Sequence, residues 1–157
     1  MKVQPGSQKN REPMKGGKGM LIYEELQAGQ RLTSHTKASV TKVQLVKYAG
    51  ASGDFNPLHT DDDFAKKIGM QGVIAHGMLV MGFLGEYVMN LAGDIAVPTN
   101  FKMRFGAMTV PGDQITCSAF VENVYEEEGK RFVQLELIAE KEPEHVVGSG
   151  QVVLQFQ

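Results

Sequence analysis

GMLVMGFLGEYVMNL, residues 77–91, is the stretch from which the architecture is read. Glu86 is its only charge, and apolar side chains fall on nearly every helical face, so as a helix it is expected to be buried. Such a helix would be about 22 Å long, too short to cross a bilayer comfortably. Gly82 and Gly85 each cost a helix about 1 kcal/mol relative to Ala. Glycine at those sites suggests close approach of a sheet, a partner subunit or a ligand. The chain beyond is strand-like. Phe101, Met103 and Phe105 alternate with Lys102 and Arg104; Ile115, Cys117, Ala119 and Val121 with Thr116, Ser118 and Phe120; Val133, Leu135 and Leu137 with Gln134 and Glu136; Val152, Leu154 and Phe156 with Gln155 and Gln157. Period two in four segments predicts an antiparallel sheet with one covered face. Pro111–Asp113 and Glu127–Lys130 are the turns between them. The class is α+β, a long apolar helix wrapped by a sheet.

Towards the amino terminus, Arg31 to Val40 is rich in Thr and Ser and is expected to be a first strand. Thr41 and Gln44 fit a capping box, and Val43, Val46 and Ala49 fall on one face of a short helix over 42–50. A second short helix begins at Thr60, with Asp61, Asp62 and Asp63 in its first turn and Gly69 at its C-terminal cap.

At 157 residues, 42% apolar and 22% charged, the chain has the size and composition of one globular domain. A single cysteine, Cys117, excludes an internal disulfide framework and a zinc-finger set, and it is expected to be an inert core residue. No apolar run reaches membrane-helix length, and the amino terminus has no signal-peptide core, so a cytoplasmic protein is expected. In residues 1–20 five cations oppose Glu12 alone, a net +4 that leaves −6 on the rest of a chain totalling −2. That acidic remainder argues against nucleic-acid binding. The Gly-, Pro- and Lys-rich residues 1–20 read as a flexible basic extension, and residues 21–157 as the folded domain.

Chemistry concentrates in YAGASGDFNPLH, residues 48–59. On a continuous helix Asp54 and His59 would diverge. Pro57 forbids that helix and biases Asn56 away from it, so the chain bends and both side chains can converge. Asn56 suits the backbone of such a bend. A carboxylate beside an imidazole can hold one water and move its proton, and an Asp in a water-poor cleft could act as the acid. An Asp–His loop clamp is the plain alternative. A metal site is a further one: the EF-hand spacing fails at Leu58 and Ala65, and zinc would need a third ligand, for which only His76 is at hand. The second cluster, Ala75-His76-Gly77, opens the apolar helix. Free N–H groups there could bind an oxyanion, with Gly77 admitting a carbonyl closely, or His76 could simply cap and pack. Met78, Met81 and Met89 read as core, or as the wall of an apolar pocket. Lys102 and Arg104 read as surface charge or contacts for a ligand phosphate.

Residues 48–81 resemble the MaoC-like, or hydratase 2, family of R-specific enoyl-CoA hydratases. The family signature runs from an aromatic residue through S-G-D-x-N-P-[LIV]-H to a small residue six positions on. Here it is Ser52, Gly53, Asp54, Asn56, Pro57, Leu58, His59 and Ala65. Within the family the likeness runs furthest, over roughly residues 40–105, to the catalytic subunits of mycobacterial (3R)-hydroxyacyl-ACP dehydratases. The resemblance implies a hotdog fold, paired as a homodimer or higher oligomer. It implies reversible addition of water to a trans-2-enoyl thioester, carried by CoA or ACP, to give a (3R)-3-hydroxyacyl thioester. Asp54 and His59 would be the catalytic pair, and Gly77 would donate the N–H to the thioester carbonyl. Asn56, His76, Met78 and Gly85 would bind substrate. Gly85 stands where some relatives carry Ser. No metal or redox cofactor is implied. A thioesterase, or an acyl-binding partner subunit of a heteromeric dehydratase, is the competing reading.

Overall fold

The computed structural model describes residues 21–142 and 145–157. The extension expected over residues 1–20 lies outside them. In chain order the elements are a 3₁₀ turn at Tyr23–Glu25, β1 (His35–Thr36), α1 (Lys42–Ser52), a 3₁₀ turn at Pro57–His59, α2 (Asp62–Lys67), α3 (Gly77–Ala92), β2 (Ala96–Phe105), β3 (Thr116–Glu127), β4 (Lys130–Glu140) and β5 (Val146–Phe156). The strands form one antiparallel sheet in the order β1-β3-β4-β5-β2. Bulges at Pro98/Asn100, Val121/Asn123 and Ala139/Glu140 bend it, and α3 packs on β2 through β5. The alternating positions named above form the core: Ile115, Cys117, Ala119, Val133, Leu135, Leu137, Val152 and Leu154 are fully enclosed. Burial pushes the Cys117 thiol up to about 11, as fits an inert core residue.

The hairpin between β3 and β4 turns at Glu128-Gly129, both at positive φ, as a two-residue primed turn requires. The carboxyl-terminal strand is longer than its apolar alternation suggests. β5 begins at Val146 and runs through Gly148 and Gly150, where the paired β2 leaves no room for a side chain: a Cβ at Gly150 would run into the Lys102 carbonyl.

Three expectations are corrected. The strand over 31–40 reduces to His35–Thr36 beside a bridge from Arg31 to Phe120. Its ladder is broken because the Thr33 carbonyl turns to accept the Tyr87 hydroxyl of α3. In α1 the buried residues are Leu45 and Ala49, while Val43 and Val46 are 63% and 55% exposed. Two stripes of equal helical spacing run along α1, and spacing cannot choose between them. Finally, α3 is buried on one side only. Leu79, Val80, Phe83, Leu84, Tyr87, Val88, Leu91 and Ala92 face the sheet, whereas Met78, Gly82 and Met89 lie open. A Cβ added at Gly82 would meet nothing beyond its own helix within 4 Å among the described residues, and one at Gly85 only the Phe101 ring, at an ordinary 3.6 Å. Close approach within this chain is therefore not what those glycines serve.

Candidate active site

The site is built on a strap, residues 41–76, fastened chiefly by side chains bonding to backbone. Thr41 caps α1 by accepting from the Gln44 amide, and Gly53, at φ 75°, ends it. The Asp54 amide donates to the Ser52 hydroxyl at 3.2 Å, and the Asp54 carboxylate accepts from the Asn56 amide at 3.2 Å. Asn56 in turn accepts from the Leu58 amide at 3.0 Å and caps the 3₁₀ turn that Pro57 opens. The expected bend is therefore present. Asp61 caps α2 by accepting from the Asp63 and Phe64 amides. At the other end Gly69, at φ 95°, donates to Lys66 and Met70 to Ala65, a Schellman closure. Asp62 reaches out to the Val73 amide at 3.0 Å and pairs with Lys42. The Lys42 ammonium, then the Val73 amide, hold its carboxyl below the usual carboxylate range.

This strap delivers Asp54, His59 and His76 to one place: one side-chain ligand atom of each lies within 4.8 Å of the other two. His59 Nδ1 is 2.7 Å from the Ile74 carbonyl. A carbonyl only accepts, so Nδ1 carries the proton and Nε2 keeps the lone pair. By the same argument His76 Nε2 donates to the Asp54 carbonyl at 3.0 Å. The His76 ring is buried, stacked on His59 at 3.6 Å between centroids and tilted against Tyr48 at 4.8 Å. It is a support behind the pair rather than part of an open wall. Two imidazoles inclined by only 24° project their in-plane lone pairs side by side, so they fit poorly around one metal ion needing both at about 2.0–2.1 Å. The Asp54 side chain stays 54% exposed, so the water-poor setting expected for it is not supplied by this chain alone.

Beside His59 opens a cleft of about 340 Å³. Its walls include Gly77, Met78 and Val80 of α3 and Phe105, Met108 and Thr109 across from them. As the first residues of α3, Gly77 and Met78 have amides with no acceptor among the described residues. Met78 is thus a cleft residue and not core. Gly85 lies two turns further along α3 and outside the cleft lining, and Asn56 faces its own bend. Lys102 and Arg104 are exposed on the outer side of β2. Sequence reasoning missed the Ile74 carbonyl that fixes the His59 tautomer, because a backbone acceptor leaves no residue-type signal. It also missed Thr109, whose buried hydroxyl has no partner among the described residues.

A family model for the MaoC like domain matches residues 25–142. The chain belongs to the MaoC-like family. An (R)-specific enoyl-CoA hydratase of Rhodospirillum rubrum is 30% identical over 112 residues, 71% of this chain and 75% of that protein. The 3-hydroxybutyryl-CoA dehydratase of Methylorubrum extorquens is 30% identical over 95 residues, 60% of this chain and 59% of its own. Other relatives are far longer: the chain spans only 9% of the mouse peroxisomal multifunctional enzyme type 2, at 38% identity over 66 residues and 41% of this chain. Among solved structures, the R-hydratase PhaJ1 of Pseudomonas aeruginosa is 25% identical, covers 84% of this chain and 83% of its own, and superposes with a TM-score of 0.74. The hotdog fold is thereby established for this MaoC-like chain. No helix among its described residues is long and apolar enough to cross a membrane.

Proposed function

We propose that this chain adds water reversibly to trans-2-enoyl thioesters, carried by CoA or ACP, to give (3R)-3-hydroxyacyl thioesters. One observation carries the reading: the Asp54 carboxylate lies just behind the cleft wall with a ligand atom within 4.8 Å of one of His59, and His59 lines the cleft together with Gly77, whose amide has no acceptor among the described residues. Atoms that close can share one water at ordinary hydrogen-bond lengths. In this reading His59, its Nδ1–H on the Ile74 carbonyl, takes a proton at Nε2 from water as the oxygen bonds to C3 of the enoyl group. The carbonyl oxygen, gaining charge, is held by the Gly77 N–H. Protonated Asp54 delivers its proton to C2, and the proton on His59 returns to Asp54 through the next water. Substrate, or a second copy of the chain, supplies the cover that Asp54 lacks here.

Asn56 and His76 serve as positioners of Asp54 and His59. Met78 flanks the acyl group in the cleft, and Gly85, seven residues on along the same helical face and outside the cleft lining, would meet only an acyl chain long enough to reach it. The thioester itself acidifies C2, so the reaction asks for no metal or redox group. A homodimer working in the cytoplasm is the assembly proposed. Wild-type protein should bleach the enoyl-thioester absorbance of crotonyl-CoA without releasing free thiol. Thiol release would make it a thioesterase, and inertness towards every enoyl-CoA and enoyl-ACP would leave an acyl-binding or partner subunit.

A further inference from the structure

We infer that Phe105 is a positioning residue of this site: its ring covers the Gly77 amide and forms the wall against which a flat enoyl thioester is held. The inference rests on the hydratase reading of the cleft. Phe105 is the last residue of β2, and its ring lies broadside on Gly77. A Cβ built at Gly77 would meet Cδ1 and Cε1 of that ring at 2.9 Å and Cγ at 3.2 Å. Any side chain at position 77 would therefore have to displace the Phe105 ring, independently of what a ligand requires.

Yet Phe105 is 56% exposed, so it is no core residue. One side of the ring covers Gly77 while the rest faces the cleft and water. The backbone beneath it is fixed: the Gly106 and Ala107 amides donate to the Val147 and Val146 carbonyls, both at 2.9 Å, and Gly106 abuts the Val146 carbonyl. Movement is thus left to the side chain alone. A donor kept out of water holds a developing negative charge more strongly than one exposed to it. An apolar ring packed against Gly77, whose amide has no acceptor among the described residues, would provide that exclusion. Its flat face also suits a conjugated thioester better than the tetrahedral hydroxyacyl product.

Three substitutions test this, the two at Phe105 with readouts that packing alone would not move. Phe105→Ala should lower kcat on crotonyl-CoA by about tenfold or more, with KM within about threefold. Phe105→Leu, which keeps an apolar cover, should recover most of the loss. Gly77→Ala should lower the melting temperature, and adding Phe105→Ala should restore it by removing the clash. Independently of activity, hydrogen exchange at the Gly77 amide should speed up about tenfold in Phe105→Ala while Leu84 and Val88 stay protected. Unchanged kcat, a loss confined to KM, or unaltered Gly77 exchange would each overturn the inference. A wild type inactive on every enoyl thioester would instead sink the hydratase reading, and the exchange comparison would still decide whether the ring covers the amide.

Discussion

The sheet with α3 and the strap over residues 41–76 are held by different chemistry. In the first, Leu84, Leu135, Leu137 and Leu154 are fully enclosed, and the strands carry regular ladders. In the second, only Leu45, Ala49, Ala65, Val73, Ala75 and His76 are buried, and order comes from side chains on backbone: Ser52 on Asp54, Asp54 on Asn56, Asn56 on Leu58, Asp61 on α2, Asp62 on Val73 and the two histidines on carbonyls. Burial gives stability without directional demand. Directional bonds give placement, which a proton-transfer site needs, at little net stability each. The scaffold and the site are thus separable, and variants can show whether they separate in practice.

The largest stability effect belongs to the scaffold. Leu135→Ala, at a fully enclosed position, should cost about 2–5 kcal/mol in urea unfolding while kcat per folded molecule is unchanged. A fall in kcat alongside it would show the two regions to be one unit. His76→Phe keeps a ring on His59 but removes the donor to the Asp54 carbonyl. It should cost about 1 kcal/mol of stability, less than the core variant, and about tenfold or more in kcat. Should it lose stability like a core variant and keep its rate, the support role is wrong.

Acid should loosen the strap before the sheet. The Asp62 carboxyl is held below its ordinary value by Lys42 and the Val73 amide. Its contribution is therefore complete above the unfolded carboxylate pKa of about 4 and is lost as pH falls through the lower folded value. Hydrogen exchange of the Val73 amide, followed below about pH 4, should rise sooner in the wild type than exchange in β4, and Asp62→Asn should remove that pH step. The smallest effect is expected at Val43 and Val46. Changing either to Ser should shift stability by no more than about 0.5 kcal/mol, because neither is buried in this chain. A larger shift would mean that α1 is covered in the assembled protein.

The same contrast explains what could be read from the sequence. Strand alternation at Ile115–Val121 and Val133–Leu137 marks the covered sheet face, because Ile115, Cys117, Ala119, Val121, Val133, Leu135 and Leu137 are all buried there. The bend at Asn56-Pro57 is legible because proline and asparagine act on their own backbone. Three things were not. The burying face of α1 was hidden by two equal stripes. The open side of α3 was hidden because methionines that line a cleft look like methionines of a core. The reach of β5 was hidden because Gly148 and Gly150 are set by the neighbouring strand and not by local preference. For the site, pattern brought Asp54 and His59 together. The Ile74 carbonyl that holds His59, and the Phe105 ring packed on Gly77, come from parts of the chain that only the fold brings near.

The most direct measurement of the central claim is a double-mutant cycle on crotonyl-CoA hydration with Asp54→Asn, His59→Ala and the pair combined. If both groups hold one water, each single change should cost about 10²–10⁴ in kcat, and the double should be no worse than the more damaging single. Losses that multiply, or a single variant that keeps its rate with the fold intact, would contradict it.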